Sequence, residues 1–479
     1  MHAVLHLSLG TTYTRRVTVK ELRQSVREGK IDTVLVGFPD PFGRLVGKRY
    51  RADFFLDHAV EDGTHGCNYL LTVNMDMDPL DGFKVANWDA GFGDFKIQPD
   101  LSTLRILPWQ TASALVICDY LREDGSYVAE APRSVLRRQL ERVTKRGWTS
   151  FCASELEFYL FNQTFENARA GGYRDLQPSS DYRIDYHLMQ PTRDEPLMRA
   201  IRNGMTEAGV PIENSKGEWS RGQHEINFRY AEPLAMADRH VVFKQGVKEM
   251  AVQHGKSVSF MAKYAASEAG NSCHIHVSLW KDGKSLFWEE AAKSKSRGAG
   301  SKAGHGGGSP TPFFRAFLGG LMKYSPEFCL FFGPTINSYK RYQPGSWAPT
   351  RMAWAKDNRT TGFRVVGEGK SFRIENRMPG ADANPYLAFA AMLAAGLAGV
   401  DEGLDCGEEY RGNAYIDASL TRLPSSLKEA TDLFERSTLA RTAFGDEVVE
   451  FYAHHARLEQ KSFDDAVTDW EKQRYFEQI

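Results

Sequence analysis

The sequence is short of cysteine, of net charge and of long apolar runs, and each shortage argues against a class of protein. Its 6 cysteines among 479 residues show no CxxC spacing, so neither a disulfide framework nor a zinc site is expected. The 60 basic and 61 acidic residues almost cancel, which argues against binding to nucleic acid or to a membrane surface.

Membrane-spanning and secretory signals are also missing. The apolar stretch at residues 386–400 is too short to cross a bilayer. The start, residues 1–16, has an apolar run without a basic residue ahead of it or a convincing cleavage site. We therefore expect a cytoplasmic protein.

Apolar residues make up 42% of the chain, enough for a large core, and they form short runs between turns. Strands are predicted at residues 33–37, 44–50 and 114–119, and a helix begins at Pro132. Beyond it, strand and helix patterns mix as in an α+β fold. We expect an N-terminal domain at residues 1–128 and a larger domain at residues 129–479.

Residues 291–311 form a low-complexity segment rich in Gly, Ser and Lys. Such a segment could cradle phosphates or form a flexible surface insertion. A phosphate cradle needs a strand, a Gly-rich loop ending in Lys-Ser or Lys-Thr, and a helix. The segment has no such arrangement, so its composition favours the insertion.

Charged residues share one face of several predicted strands. In the apolar segment 154–161, Glu155 and Glu157 point the same way because residues i and i+2 share a face. Two carboxylates about 4 Å apart repel each other by about 4 kcal/mol at an effective dielectric constant near 20. A cation or a shared proton must therefore offset that repulsion.

Two further segments follow the same period. Their shared-face residues are His274, His276 and Ser278 in the segment 272–280, and Arg373, Glu375 and Arg377 in the segment 373–377. Two imidazoles at this spacing in an apolar strand indicate ligands more than a structural role. The arginine-rich segment fits a functional strand and an exposed, salt-bridged strand equally well.

Another group of carboxylates consists of Glu213, Glu218 and Glu225. Oxygen-dominated ligation with one imidazole suits Mg²⁺ or Mn²⁺. Several arginines accompany these groups: Arg341, Arg359, Arg364, Arg373 and Arg377. Divalent ions on phosphate oxygens and arginines on the developing charge are the parts of a phosphoryl-transfer site.

Seven motifs, in sequence order, resemble those of the glutamine synthetase family over nearly the whole chain. They are DFKIQPDLST (94–103), SELEFYLF (154–161), GQHE (222–225), CHIHVS (273–278), NSYKRYQPGSWAPT (337–350), DNR (357–359), and RIENR (373–377) followed by DANPY (382–386). Each motif alone is a weak signal, whereas seven in order are specific.

The resemblance implies a small N-terminal β-grasp domain and a C-terminal α/β catalytic domain. It implies a homo-oligomer, commonly a dodecamer of two stacked hexameric rings, with active sites between subunits. The implied substrates are L-glutamate, ATP and an amine, with two or three Mg²⁺ or Mn²⁺ ions at each site.

The resemblance also assigns roles to individual residues. One metal would be held by Glu157, Glu218 and Glu225, and the other by Glu155, His274 and Glu375. Substrate contacts would come from Gly270, His274, Arg341, Arg377 and Trp347. Nucleotide and phosphate contacts would come from Glu213, His276, Ser278, Arg359, Arg364, Lys370 and Arg373. The implied catalytic residues are Asp81, Arg341, Trp347 and Arg359.

The implied reaction has two steps. ATP phosphorylates the γ-carboxylate of glutamate, and an amine then attacks the acyl phosphate so that inorganic phosphate leaves. A closing loop would keep water away from the acyl phosphate, because hydrolysis would waste ATP.

The sequence departs from ammonia-using members at the substrate end. Trp347 stands where those members carry a glutamate that guards the cleft and helps deprotonate ammonium, and Ala269 replaces an asparagine. The aspartate of the ammonium pocket is assigned to Asp81, with Asp76 and Asp78 as alternatives. The PGSWAPT loop resembles the branch that makes γ-glutamylamides, so we expect a polyamine, an alkylamine or an arylamine as acceptor.

Some alternatives stay open. Trp347 could merely pack its loop, and the chain could be a glutamine synthetase that uses ammonia. A non-catalytic relative is a further alternative, but the intact ligand set argues against it. Tyr415 lies near the position of an adenylylated tyrosine in some bacterial members; its neighbours do not match, so no modification is expected.

Overall fold

The computed structural model describes residues 17–291 and 307–479. Residues 1–16 lie outside the described residues, and so do residues 292–306, which are most of the predicted surface insertion at residues 291–311. The described end of that segment contains a short strand, Gly308–Pro310. The described part is organised around two large β-sheets with helices packed against them.

The N-terminal strands form a five-stranded sheet in the order β2-β1-β5-β4-β3. Its strands are β1 (Thr33–Pro39), β2 (Leu45–Arg51), β3 (Thr64–Cys67), β4 (Asp94–Ile106) and β5 (Ser113–Leu121). β1 and β5 run parallel, and the other neighbours are antiparallel. The three strands predicted in this region are confirmed as β1, β2 and β5.

The turn between β1 and β2 is held by one aspartate. Oδ1 of the buried Asp40 accepts hydrogen bonds from the backbone amides of Phe42 and Arg44, at 3.0 and 2.8 Å. Gly43 adopts φ +77°, a conformation that glycine tolerates without steric cost. The predicted turn at residues 39–43 therefore has a local cause.

The C-terminal part contains a larger sheet with the order β14-β15-β16-β10-β6-β8-β7. Its strands are β6 (Thr149–Phe161), β7 (Ile212–Gly217), β8 (Gln223–Phe228), β9 (Ser257–Ser259), β10 (Cys273–Lys281), β11 (Lys284–Ser285), β14 (Trp354–Lys356), β15 (Phe363–Val366) and β16 (Arg373–Asn376). β9 pairs with β6 and β11 with β10, while β12 (Trp288–Glu290) and β13 (Gly308–Pro310) form a separate pair.

Helices cover both sheets. They are α1 (Val19–Arg27), α2 (Ala52–Phe54), α3 (Val60–Asp62), α4 (Pro132–Thr144), α5 (Phe165–Ala170), α6 (Met189–Thr192), α7 (Glu195–Glu207), α8 (Pro233–Gln253), α9 (Pro312–Tyr324), α10 (Cys329–Phe332), α11 (Pro385–Asp401), α12 (Leu427–Arg436), α13 (Thr438–Phe444), α14 (Asp446–Asp465) and α15 (Asp469–Tyr475). The helix predicted to begin at Pro132 is confirmed as α4.

The apolar stretch at residues 386–400 lies in α11, which is buried on all sides. A helix that is apolar all round is a core helix of a large protein or a membrane span. α11 packs against α9, α4 and α8, and none of the described helices is long and apolar enough to cross a bilayer. α11 is therefore the central core helix of the C-terminal part.

A charge cluster joins the N-terminal sheet to helices of the C-terminal part. Arg133 at the start of α4 donates hydrogen bonds to Asp119 on β5 at 2.7 Å and to Asp100 on β4 at 2.9 Å. The same guanidinium donates to both carboxylate oxygens of Asp238 on α8. Arg137 adds a second cation to this cluster. The N-terminal sheet is therefore tied to the C-terminal helices through charge pairs, and those among Arg133, Asp119 and Asp238 are buried.

Candidate active site

The predicted ligands lie on neighbouring strands of the large sheet. His274 on β10 pairs opposite Glu155 on β6, and Glu157 on β6 pairs opposite Glu225 on β8. Directly opposed residues of an antiparallel pair point to the same face of the sheet, with Cβ atoms about 5 Å apart. The strand registers therefore gather charged groups that are distant in the sequence.

The first predicted triad is brought together. Glu155, His274 and Glu375 offer ligand atoms that all lie within 4.8 Å of one another. Glu155 Oε2 lies 3.2 Å from His274 Nδ1. Burial opposes the ionisation of Glu375, but His274, Arg377 and His276 together lower its pKa to about 2. This site is thus built around an ionised carboxylate.

The second predicted triad is also brought together. Glu157, Glu218 and Glu225 offer ligand atoms within 4.8 Å of one another. Burial raises the pKa of Glu225 to about 7, and the nearby carboxylates of Glu155 and Glu157 contribute to the rise. A cation bound among these groups would remove that repulsion, since an opposite charge favours the ionised form.

Two residues that the sequence did not single out orient Glu157. The backbone amide of Ser272 donates to Glu157 Oε2 at 2.7 Å, and the Ser272 hydroxyl donates to Oε1 at 2.5 Å. Gln223 Nε2 donates to Oε2 at 3.2 Å. Outer partners of this kind fix the orientation of metal ligands. The sequence contained a signal for both residues, because Gln223 belongs to the GQHE motif and Ser272 directly precedes the CHIHVS motif.

Lys216 is a further residue that the sequence analysis missed. It lies on β7, opposite Glu225 on β8. Its ammonium forms an ion pair with Glu218 and lies 3.5 Å from Glu225 Oε1. Lys216 therefore binds two of the three carboxylates of the second triad. Lys216 and Glu218 are two positions apart in the sequence, a spacing that places side chains on the same face of an extended segment. This spacing could have identified Lys216.

Both triads fit a divalent cation. Together they offer five carboxylates and one imidazole, most of them buried. Closely spaced carboxylates are the donors that Mg²⁺ and Mn²⁺ prefer, whereas zinc sites carry more histidine or cysteine. The donor chemistry of the described residues thus supports the predicted metals.

Arginines bind the carboxylate of Glu375 from two sides. Arg364 Nη1 donates to Glu375 Oε2 at 2.8 Å, and Arg377 Nη1 donates to Oε1 at 2.7 Å. Arg373 Nε donates to His276 Nδ1 at 3.2 Å. The side chains of Glu375 and Arg377 are 1% and 4% exposed, so the interpretation of this segment as an exposed, salt-bridged strand is wrong.

Arg341 and Gly270 are in direct contact. Arg341 is buried, and its guanidinium donates to the carbonyls of Met378 at 2.8 Å and Arg377 at 3.1 Å. A Cβ atom at position 270 would lie 2.6 Å from Arg341 Cγ and 2.6 Å from the Ala262 carbonyl oxygen. Glycine is therefore required there for the chain to approach the arginine so closely.

The predicted nucleotide and phosphate residues are more dispersed. Glu213 is exposed and lines, together with Lys216, a cavity of about 410 Å³. Ser278 accepts a hydrogen bond from Trp280. Arg359 and Lys370 are exposed, and no hydrogen bond or ion pair within residues 17–291 and 307–479 joins them to the triads.

The predicted acceptor loop lies beside the arginines. Trp347 is 49% exposed and adopts φ +65°, which is uncommon for a bulky residue. Its carbonyl accepts a hydrogen bond from Arg377 Nη2 at 3.3 Å, and the hydroxyl of Ser346 donates to the Arg341 carbonyl at 2.9 Å. The loop is thus fixed to the arginines, while part of the indole faces solvent.

Asp81 lies against α14. Its carbonyl lies 2.7 Å from His454 Nε2, and the neighbouring Phe83 packs on the rings of His454 and His455. In the part of the chain that the structure describes, no hydrogen bond or ion pair connects Asp81, Asp76 or Asp78 with the triads. Within one subunit, Asp81 makes no contact of this kind with the site.

The paired triads and the arginines on this sheet have the composition that a metal-dependent phosphoryl-transfer site requires. The family profile described as "Glutamine synthetase, catalytic domain" matches residues 129–475. The chain therefore belongs to the glutamine synthetase family, as the seven motifs predicted.

Individual relatives resemble the chain over almost its full length. A gamma-glutamylethanolamide synthetase of Streptomyces coelicolor is 50% identical over 96% of this chain and 96% of its own. A glutamate–isopropylamine ligase of a Pseudomonas species is 36% identical over 96% of this chain and 98% of its own. A solved structure of GmaS without ligand is similar with a TM-score of 0.79 and 28% identity, covering 95% of this chain and 99% of that one.

Proposed function

We propose that the protein is an ATP-dependent glutamate–amine ligase, which forms a γ-glutamylamide from L-glutamate and an organic amine through a γ-glutamyl phosphate. The observation that carries this proposal is the pair of complete triads next to a loop in which Trp347 replaces the carboxylate expected for ammonia. Compared with the ammonia-using members, the site retains the residues that would activate the carboxylate and differs where the amine would bind.

The names of the relatives support an amine as acceptor. One relative is named for ethanolamine and another for isopropylamine, and the chain spans both almost completely. Glutamine synthetases such as that of Thermotoga maritima are more distant, at 31% identity. We therefore assign this chain to the amine-using branch of the family.

In the first step the protein holds two anions, glutamate and ATP, next to each other. Arg341 and Arg377 bind glutamate, while Arg359, Arg364, Lys370 and Arg373 offset charge on the phosphates of ATP. Bound at the triads, two or three Mg²⁺ or Mn²⁺ ions would neutralise phosphate charge as the γ-carboxylate oxygen attacks. A bond forms between that oxygen and the γ-phosphorus, the bond from the γ-phosphorus to the oxygen bridging it to the β-phosphorus breaks, and ADP leaves.

In the second step the amine nitrogen attacks the acyl phosphate, the C–N bond forms, and the C–O bond to phosphate breaks. An alkylamine with a pKa near 10.4 must lose a proton before it attacks. Trp347 cannot take that proton, because an indole is not a base at neutral pH. Its exposed ring flanks the acceptor by apolar contact or by cation–π attraction.

The remaining assignments rest on the family pattern. We propose that the N-terminal unit at residues 1–128 is a β-grasp domain and that residues 129–479 form the catalytic domain. We also propose a homo-oligomer, a dodecamer of two hexameric rings, in which Asp81 of one subunit enters the site of the next. The lack of contact between Asp81 and the triads in the described part of one subunit fits this arrangement.

Six unpaired cysteines favour a reducing compartment, the cytoplasm.

The test is a comparison of acceptors. ADP and phosphate release should be measured with glutamate, ATP and Mg²⁺, in the presence of ammonium, ethanolamine, isopropylamine, a polyamine or an arylamine, and the amide product identified by mass spectrometry. We expect the highest kcat/KM with an organic amine. A preference for ammonium would show an ammonia-using glutamine synthetase, and no turnover with any acceptor would show a non-catalytic relative.

A further inference from the structure

A tyrosine on β6 shares the face of the metal ligands without belonging to either triad. Residues i and i+2 of a strand point to the same side, so Tyr159 follows Glu155 and Glu157 on one face of β6. It pairs opposite Gln223 on β8, in the next row on that face after the pair of Glu157 and Glu225. The Tyr159 side chain is fully buried, so its hydroxyl needs a partner inside the protein.

That partner is the loop that leads to Gly270. The Tyr159 hydroxyl donates a buried hydrogen bond to the Ala269 carbonyl at 2.7 Å. The Ser220 hydroxyl accepts from the Ala269 amide at 2.8 Å, and Gln223 Nε2 donates to the Gly270 carbonyl at 3.2 Å. The Tyr159 and Ser220 hydroxyls also lie close enough to interact with each other. Each of the three peptide groups between residues 268 and 271 is therefore held by a side chain, and Tyr159 holds the central one.

The central peptide group lies against an arginine of the site. The Ala269 carbonyl and the Gly270 amide belong to one planar unit, so a hydrogen bond to the carbonyl restricts the rotation of both. Gly270 packs directly on Arg341, because a Cβ atom at position 270 would lie 2.6 Å from Arg341 Cγ. A rotation of this peptide group would therefore shift the main chain against the arginine assigned to glutamate.

The sequence of the loop makes an outside restraint necessary. Gly270 has no Cβ atom, so its backbone has a wider choice of conformations than that of other residues. Ala269 stands where ammonia-using members carry an asparagine, and its methyl group cannot make a hydrogen bond. The Asn271 amide donates to the Ala262 carbonyl at 2.9 Å, which closes the base of the loop but does not bind the central peptide group.

We propose that Tyr159 is a positioning residue for glutamate: its hydroxyl holds the peptide group between Ala269 and Gly270 in the orientation in which Gly270 and Arg341 bind the substrate. Tyr159 acts through the loop and not by contact with the substrate. This inference rests on the proposed glutamate–amine ligase activity, and within it on the assignment of Gly270 and Arg341 to glutamate.

The proposal predicts which kinetic constant changes. Without the hydroxyl, the central peptide group populates other orientations, and only a fraction of the protein is ready to bind glutamate. The apparent dissociation constant of a ligand rises by the inverse of that fraction. Saturating glutamate selects the competent orientation, so kcat is retained. ATP and the metal ions bind as before, because the residues assigned to them lie outside this loop.

The test is Tyr159→Phe, which removes the hydroxyl and keeps the ring. The KM for glutamate, the KM for ATP and kcat are measured with Mg²⁺ and the acceptor that gives wild-type protein its highest kcat/KM, and Mn²⁺ binding is measured by calorimetry. We expect the KM for glutamate to rise about 3- to 10-fold, the effect of losing one hydrogen bond, and the other three quantities to stay within about twofold.

The matched control is Tyr264→Phe. The Tyr264 ring packs on that of Tyr159 with centroids 4.3 Å apart. This variant therefore makes the same substitution in the same aromatic cluster and keeps the three hydrogen bonds described above. We expect it to have the wild-type KM for glutamate. Thermal unfolding of each protein checks that the variants fold.

Several outcomes would overturn the inference. One is an unchanged KM for glutamate in Tyr159→Phe. Others are an equal rise in the KM for ATP, a loss of kcat at saturating glutamate, or the same effect in Tyr264→Phe, because each would show a general structural role. If Tyr159→Phe does not fold, Ser220→Ala decides in its place, since it removes the other hydroxyl that holds Ala269: a raised KM for glutamate alone supports the inference, and any other result overturns it.

Failure of the proposed function is a separate result. A wild-type protein without turnover on any acceptor overturns that function. The inference is then decided by a calorimetric titration of glutamate in the presence of Mn²⁺: weaker binding by Tyr159→Phe than by wild-type protein supports it, and equal binding or no binding by either protein overturns it.

Discussion

Replacing Lys216 should tighten metal binding. The ammonium of Lys216 pairs with Glu218 and lies 3.5 Å from Glu225 Oε1, and these are two of the three ligands of the second triad. A divalent ion must therefore displace the ammonium before it can bind both carboxylates. In Lys216→Met this competition is gone, and the site carries one positive charge fewer.

The size of the effect follows from the geometry. At 3.5 Å and an effective dielectric constant near 20, the attraction between Lys216 and Glu225 is about 5 kcal/mol. Desolvation of the partly buried groups cancels much of this, which leaves about 1.5–3 kcal/mol, as for other hydrogen bonds to charged groups. Since 1.4 kcal/mol is a tenfold change, we expect the Kd for Mn²⁺ at this site to fall by about 10- to 100-fold.

The measurement is a calorimetric titration of Mn²⁺ into protein that has been treated with a chelator and desalted. The control is Lys428→Met, which removes an exposed lysine that pairs with Asp432 on α12. Unchanged or weaker Mn²⁺ binding by Lys216→Met would refute the reasoning. Weaker binding would mean that Lys216 positions the carboxylates for the ion and does not compete with it.

Three further predictions test the metal site, the acceptor loop and the charge cluster around Arg133. Glu157→Gln should weaken Mn²⁺ binding by more than about 100-fold, the upper end for outer-shell changes, in the same titration; near-normal binding would contradict a ligand role, and exposed Glu166→Gln is the control. Trp347→Glu should raise kcat/KM for ammonium relative to larger amines, because a carboxylate attracts ammonium and accepts its proton; an unchanged ratio would show that this position does not select the acceptor. Arg133→Met should lower the free energy of unfolding in urea by about 3–5 kcal/mol, because buried carboxylates lose their cation; a loss like that of the partly exposed Arg142→Met would refute this.

Most of the site prediction rested on the alternation of charged and apolar residues along single strands. Period-2 alternation placed Glu155 and Glu157 on one face of β6, and the structure confirms that strand. It did not indicate that the two carboxylates belong to different triads. That division depends on β10 and β8 flanking β6, and strand order is a long-range property that spacing does not contain. The family resemblance supplied it.

Features that depend on distant contacts were not predictable. Arg133 and Asp238 form a buried pair although both look like ordinary surface residues of amphipathic helices. The Tyr415 hydroxyl is buried, yet its neighbours Gly412 and Asn413 indicate only an exposed turn. In each case the environment is set by parts of the chain that come together only in the folded protein.

The charge cluster around Arg133 also bears on how the chain can be divided. Asp100 and Asp119 lie before residue 129, while Arg133, Arg137 and Asp238 lie after it. A fragment that ended at residue 128 would keep two aspartates in or near its core and lose both of their cations. The N-terminal unit, although it has a sheet of its own, therefore depends for its stability on the first turns of α4. The shortest stable N-terminal fragment should therefore extend through that helix. Gene fusions or truncations designed at residue 129 would separate the two aspartates from the arginines that neutralise them.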